Sequence, residues 1–316
     1  MIEFEHVVKR YSGRTVIPDL SLRLEQGRIT VVIGASGSGK STLLKMVNRL
    51  EERDGGEIRF QGRDIRSFGV EDLRRRMGYA IQSNGLFPHW TVARNIATVP
   101  RLLGWPPERI RARVDELLEM LDLPPAQYRS RHPHQLSGGQ QQRVGVARAM
   151  AADPEILLMD EPFGALDPVT RASLQHEVRR LHQRLGKTIL LITHDIDEAL
   201  FLADHLILLD QGRILQQGSP QDILSQPASD AVRDFLGRDD LGLRHLALRP
   251  VSAVMRPVGD LPPDSVDIAD SATLRQALSL LLASRCEWLR VCDAAGQAVG
   301  QLHALDVLGL RTDHAA

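Results

Sequence analysis

The chain has 316 residues, 43% hydrophobic and 25% charged, with a formal net charge of −1; that is enough apolar material for one large domain and a smaller one. The near-zero charge argues against a nucleic-acid binder, and only two cysteines, Cys286 and Cys292, argue against a disulfide framework or a zinc site and fit a reducing cytosolic compartment. The opening MIEFEHVVKRYSGR lacks the apolar stretch of a secretory signal, and no run approaches the roughly 20 apolar residues that span a bilayer, so any work at a membrane is expected to pass through a partner.

Residues 2–24 mix β-branched and turn residues and predict short strands. Residues 28–34 (RITVVIG) read as a buried strand that leads into a glycine-rich loop and a helix over 40–50. A strand-rich segment at 56–65, a helix at 70–76 and a strand at 78–82 follow. Residues 91–123 read as helical, with an apolar stripe at Val114, Leu117, Leu118 and Leu121. Next come a helix (140–152), a strand (155–159), a helix (168–185), a strand (188–193), a helix (195–203) and two short strands around Asp210 and Gly212. Alternation of this kind predicts an α/β domain on a mostly parallel sheet. The expected division is residues 1–237, a linker at 238–250 (RDDLGLRHLALRP lies across it) and a small second unit at 251–316.

Three constellations carry chemistry. Gly34, Ala35, Ser36, Gly37, Ser38, Gly39, Lys40 and Ser41 fit G-x-x-x-x-G-K-[ST] between a strand and a helix. Such a loop curls its amides around phosphate oxygens, the helix adds its positive end, Lys40 reaches the β- and γ-phosphates, and Ser41 offers a hydroxyl to magnesium. The strand at 155–159 ends in Asp160 and Glu161, suited to holding magnesium through water and to polarising an attacking water. Between them lies LSGGQQQR (136–143), a tight Ser-Gly-Gly turn feeding a helix, which offers a second phosphate-binding surface.

LSGGQQQR resembles the signature of ATP-binding-cassette (ABC) ATPases, and the other elements stand in that family's order over residues 1–237. Gln82 matches the Q-loop, Ala165-Leu166-Asp167 the D-loop, His194 the switch histidine, and Tyr11 the aromatic beneath adenine. Alone, Gln82 would read as a surface amide, His194 as a structural histidine and Tyr11 as packing; their positions among the motifs give them roles. The resemblance implies a RecA-like core with an antiparallel β subdomain and a helical subdomain. It implies ATP and Mg2+ as cofactors, Glu161, His194 and Gln82 as catalytic residues, and Ser41, Gln82 and Asp160 at the metal. The nucleotide would be held by Tyr11, the loop Gly34 to Thr42, and, from the opposite subunit, Ser137, Gly138, Gly139, Gln140 and Asp167. Two ATP molecules would then join a head-to-tail homodimer with twofold symmetry.

The combination of GYAIQSNGLFPHW, HQLSGGQQQRVGVARA and DEPFGALDPVTR is similar to the osmoprotectant (glycine betaine, choline, carnitine) uptake subfamily. That implies a peripheral subunit on the cytoplasmic face of the plasma membrane, an integral permease contacted between Gln82 and Trp90, an extracytoplasmic binding protein, and no nucleic-acid partner. Phe87, Pro88, His89 and Trp90 offer an aromatic patch for the permease; as an alternative, Phe87 and Trp90 are core residues. VSAVMRP (251–257) and LRVCDAAGQAVGQLHALDV (289–307) resemble the start and end of a CBS module, a small α+β unit that would regulate or dimerise. A nucleotide-binding module commonly has Ser or Thr three residues before its closing Asp, whereas His303 precedes Asp306 here, so dimerisation or ionic-strength sensing is the expected role, with a purely packing appendage as the alternative. Other cargoes (amino acids or small solutes), an exporter, or a non-transport cassette ATPase are the competing readings.

Overall fold

A computed structural model of the chain describes residues 1–81 and 85–309. The chain forms two compact units, Met1–Pro220 and Gln221–Ala316. The division thus falls ahead of Gly237.

The first unit opens with an antiparallel hairpin, β1 (Ile2–Tyr11) and β2 (Arg14–Leu24), followed by β3 (Ile29–Ile33), α1 (Lys40–Val47), β4 (Gly55–Phe60), β5 (Arg63–Asp64), α2 (Val70–Arg75) and β6 (Met77–Ala80). The hairpin strands are longer than the short strands expected, because bulges between Phe4 and Val7 and between Val7 and Lys9 interrupt the alternation a reader would look for. The run 91–123 is three helices: α3 (Val92–Ile96), α4 (Thr98–Leu102) and α5 (Pro107–Met120). Gly104, at φ +69°, and Pro106 end one helix and start the next. The stripe Val114, Leu117, Leu118 and Leu121 is buried, as its spacing predicts. Then come α6 (Pro125–Tyr128), α7 (Gly138–Met150), β7 (Ile156–Asp160), α8 (Pro168–Leu185), β8 (Thr188–Thr193), α9 (Ile196–Leu202), β9 (His205–Asp210) and β10 (Arg213–Gly218).

Two sheets result. One has the order β2-β1-β4-β5 and is antiparallel; the other has the order β10-β9-β3-β8-β7-β6 and is parallel except for the β9–β10 edge. One apolar core joins them, with Phe4, Ile17, Leu24 and Phe60 from the first sheet and Val32, Leu158, Leu190 and Ile207 from the second around Leu43, Leu44 and Met46 of α1. In the parallel sheet Ile33 pairs with Thr193, and Asp160 with Ile192. The chain therefore leaves β3, β7 and β8 at the same edge, so the glycine loop, Glu161 and His194 are neighbours. Ligands of open α/β sheets sit at that edge.

In the second unit, α10 (Pro220–Ser225) spans the division and α11 (Asp230–Phe235) follows. The stretch 238–250, expected as a linker, contains a 3-10 turn (Arg238–Asp240) and helix α12 (Leu241–Leu248). The leucines of α12 are at helical spacing, and Leu246 packs on the second core. The remainder is β11 (Val266–Ala269), α13 (Leu274–Ser284), β12 (Trp288–Cys292), β13 (Ala298–His303) and α14 (Ala304–Val307), with β11 parallel and β13 antiparallel to the central β12. Arg256 donates to both oxygens of the buried Asp306 at 2.8 Å. Replacing it (Arg256→Gln) leaves that carboxylate without its cation and is expected to lower the unfolding midpoint of this unit by several degrees while nucleotide affinity of the first unit is unchanged, as read by thermal melts with and without ATP.

Candidate functional site

The glycine loop makes its turn because Gly39 sits at φ +103°, in a region closed to most side chains, and α1 begins at the next residue. Lys40 Nζ donates to the carbonyls of Gly34 (2.8 Å) and Ala35 (2.9 Å), so the ammonium lies along the loop rather than in solvent. Burial lowers its pKa, with Glu161 and Asp160 acting in the opposite direction. Ser41 Oγ donates to Asp160 Oδ1 at 3.1 Å, joining the start of α1 to the end of β7. Burial raises the Asp160 pKa, against the Ser41 hydrogen bond, and the charge of Glu161 raises it further.

Glu161 has φ +45°, an uncommon backbone for a side-chain-bearing residue. Its N–H donates to Ile192 O at 2.9 Å, which fastens it to β8, and its Oε2 is 3.3 Å from His194 Nδ1. Carboxylate and imidazole thus meet where β7 and β8 end. Tyr11, Ser36, Gly37, Ser38, Gly39, Lys40, Ser41, Thr42, Glu161 and His194 line one open cleft of about 1300 Å³. Lys9 Nζ lies 4.6 Å from the centre of the Tyr11 ring. Burial raises the Tyr11 pKa, partly offset by a hydrogen bond with Thr42.

The signature residues are placed differently. Ser137 caps α7: its Oγ accepts from Gln140 N (3.3 Å), and Gln140 Oε1 accepts from Ser137 N (3.0 Å), a reciprocal capping box. Gly139 approaches α8 so closely that a Cβ would come within 2.1 Å of Thr170 Cγ2. Asp167 caps α8 by accepting from Thr170 N at 3.1 Å. Ser137, Gly138, Gly139, Gln140 and Asp167 do not line the cleft of their own chain. Further along, Arg143 of α7 pairs with the buried Glu177 of α8 at 2.6 Å. Gln82 lies outside the described residues.

These features coincide with a known group. The model of the ABC transporter family matches residues 17–164. The glycine betaine uptake system ATP-binding protein YehX of Escherichia coli K12 is 58% identical over 308 residues, 98% of this chain and 99% of that protein. The chain belongs to the ATP-binding subunits of ABC transporters. The glycine betaine/carnitine/choline transport ATP-binding protein OpuCA of Bacillus subtilis is 44% identical, covering 93% of this chain and 76% of its own length. Among solved structures, the ATP-binding cassette MJ0796, a dimer in a post-hydrolysis state with ADP and phosphate, matches with a TM-score of 0.62 at 30% identity, over 70% of this chain and 99% of that one.

An ABC subunit binds ATP and couples its hydrolysis to transport. Magnesium is typical of the family, and Ser41, which lines the cleft, and Asp160 beside it present the hard oxygen donors that suit it. An ion held by one or two side chains completes its shell with phosphate oxygens and water. Sequence reasoning passed over Arg14, Thr15, Val16, Asp210 and Gln211, which also line the cleft. Turn chemistry marks Asp210-Gln211-Gly212 and Gly13-Arg14, but no spacing connects such turns to a distant loop.

The Phe87 and Trp90 rings meet at a 43° tilt with centroids 4.3 Å apart, and Arg94 lies over the Trp90 ring at 4.3 Å. The fully buried Asn95 fixes their loop through Phe87 N and the carbonyls of Phe87 and Trp90. Phe87 is 38% exposed, so it is not a core residue.

Glu198, in the first turn of α9, is buried, and its pKa is pushed up from 4.5 to about 7, chiefly by burial. An acid with a raised folded-state pKa stabilises the fold below its unfolded pKa, and that contribution is lost as pH rises through the folded value. Between pH 4.5 and 7 the contribution of Glu198 to stability therefore falls with rising pH. Glu198→Gln is expected to flatten that dependence and to raise stability at pH 8 by up to about 3 kcal/mol, as measured by urea unfolding across the pH range.

Proposed function

We propose that this chain is the ATP-hydrolysing subunit of an importer for an osmoprotectant of the quaternary-amine class, acting as a twofold homodimer with a separate permease. The observation that carries this reading is its 58% identity to a glycine betaine uptake ATP-binding protein over nearly the full length of both chains, second unit included. The absence of any helix long and apolar enough to cross a membrane among the described residues fits a separate permease.

In this reading Lys40 and the loop amides from Gly34 to Thr42 hold the β- and γ-phosphates, and Tyr11 supports the adenine. Ser41 and Asp160, with Gln82, take magnesium, which supplies positive charge to the phosphate oxygens. Glu161 orients the attacking water and accepts its proton, while His194, 3.3 Å away, stabilises charge at the γ-phosphate. The α7 N-terminus, shaped by the Ser137–Gln140 box, faces the γ-phosphate held by the second copy. That explains why these residues are absent from their own cleft. Loss of the bridging phosphate would let the dimer open. Trp90 and Phe87 would bear on the permease, and the extracytoplasmic binding protein would deliver the solute.

The order β11-α13-β12-β13-α14 supports a single CBS-like module in the second unit. Both Asp306 oxygens are engaged by Arg256, which favours dimerisation or salt sensing over nucleotide binding there. The test is reconstitution with the neighbouring permease and binding protein in vesicles. ATP-driven accumulation of labelled glycine betaine, choline or carnitine is expected. Accumulation of amino acids or inorganic anions in its place would overturn the cargo assignment.

A further inference from the structure

We propose that Arg171 is a positioning residue for hydrolysis: it ties the backbone ahead of α8 to Asp195 and thereby sets His194 against Glu161. The proposal rests on the reading of Glu161 and His194 given above.

Arg171 lies near the start of α8, where the helix dipole disfavours a cation. Something else must hold it, and two acceptors do. Its Nη2 donates to Leu166 O at 3.2 Å, and its Nη1 donates to Asp195 Oδ2 at 3.3 Å. Its Nε is buried without an acceptor, so these two contacts orient the half-buried guanidinium. The chain just before Asp167, which is expected to face the second copy, is thus connected directly to the loop after β8.

Asp195 is equally committed. Its N–H donates to Thr193 Oγ1 (3.0 Å), its Oδ1 caps α9 through Glu198 N (3.0 Å), and Oδ2 takes Arg171. One turn along α8, Gln175 donates to Glu198 Oε2 at 3.3 Å, a second link between the same two helices. His194 stands between Thr193, buried at the end of β8, and the anchored Asp195. The imidazole itself is 62% exposed, so its approach to Glu161 depends on the backbone on either side. Releasing Arg171 frees one of those anchors. Arg171 does not line the cleft, so ATP affinity should not register the change.

The experiment compares steady-state ATPase activity of the full chain in its reconstituted transporter for Arg171→Gln, Arg171→Lys, Asp195→Asn and the double variant Arg171→Gln/Asp195→Asn. Asn caps helices as well as Asp, so Asp195→Asn removes the ion pair and keeps α9 capped. Arg171→Gln and Asp195→Asn are each expected to lower kcat about tenfold with KM for ATP within about twofold. The double variant should be no worse than either single one, and Arg171→Lys should recover part of the rate. Unchanged kcat in Asp195→Asn and Arg171→Lys, losses that multiply in the double variant, or KM rising in step with the fall in kcat would overturn the proposal. Glu161→Gln run alongside separates the failures: if it stays active, the reading of the site is at fault; if it is inactive while Arg171→Gln turns over normally, only the role of Arg171 falls.

Discussion

Glu161→Gln is expected to retain ATP binding, to lose turnover by about a thousandfold, and to accumulate an ATP-loaded dimer. The substitution keeps the side chain's shape and replaces one carboxylate oxygen with an amide nitrogen. The backbone that presents it is unaffected, because Glu161 is placed by its own N–H on Ile192 O and by its position at the end of β7. Proton acceptance from water is lost, and with it the route from ATP to ADP. The glycine loop and Lys40 remain, so the nucleotide still binds. Removing a negative charge from beside the triphosphate should tighten that binding. Phosphate release gives the rate, and light scattering with and without ATP gives the mass. A variant that hydrolyses ATP near the normal rate would show that Glu161 does not orient the water; one that binds ATP, fails to turn over and remains monomeric would argue against the two-copy site.

What the sequence made legible follows from how local each signal is. The glycine loop could be placed because β3 is β-branched throughout and apolar but for Thr30, and the helix after it starts at the loop's own lysine. The register that puts Asp160 opposite Ile192, and Ile33 opposite Thr193, then brings three chain-distant motifs to one edge. That convergence was inferred from motif order, and the parallel pairing supplies its physical cause. Elements with conflicting local signals were harder to read. The hairpin strands are bulged, α12 has its leucines interrupted by Arg244 and His245, and the run 91–123 conceals two helix boundaries. The Arg171–Asp195 pair could not be read at all. Both residue types are ordinary on surfaces, and only the packing of α8 beside α9 shows that the guanidinium is held by two acceptors. The burial of Glu198 is a similar case, since a glutamate in the first turn of a helix reads as a favourable dipole contact in solvent.

Lys40→Ala is expected to weaken ATP binding by 10- to 100-fold, the equivalent of about 1.5–3 kcal/mol for charge-assisted hydrogen bonds, and to abolish hydrolysis. The side chain is almost wholly buried, and its ammonium is held by two loop carbonyls. Burial lowers the Lys40 pKa, so the cation is kept in place partly by Glu161 and Asp160. Truncation therefore has two consequences. It removes the positive charge that would meet the γ-phosphate, and it leaves two carboxylates facing a polyanion without compensation. The second effect grows with the number of phosphates, so ATP affinity should fall more than ADP affinity. Lys40→Arg should not restore binding, because a planar fork cannot occupy the narrow space between the Gly34 and Ala35 carbonyls without displacing the loop. Calorimetric titration of ATP and ADP into the three proteins tests each point. Equal losses for the two nucleotides would move the lysine's contact away from the γ-phosphate, and unchanged ATP affinity in Lys40→Ala would remove Lys40 from the binding site.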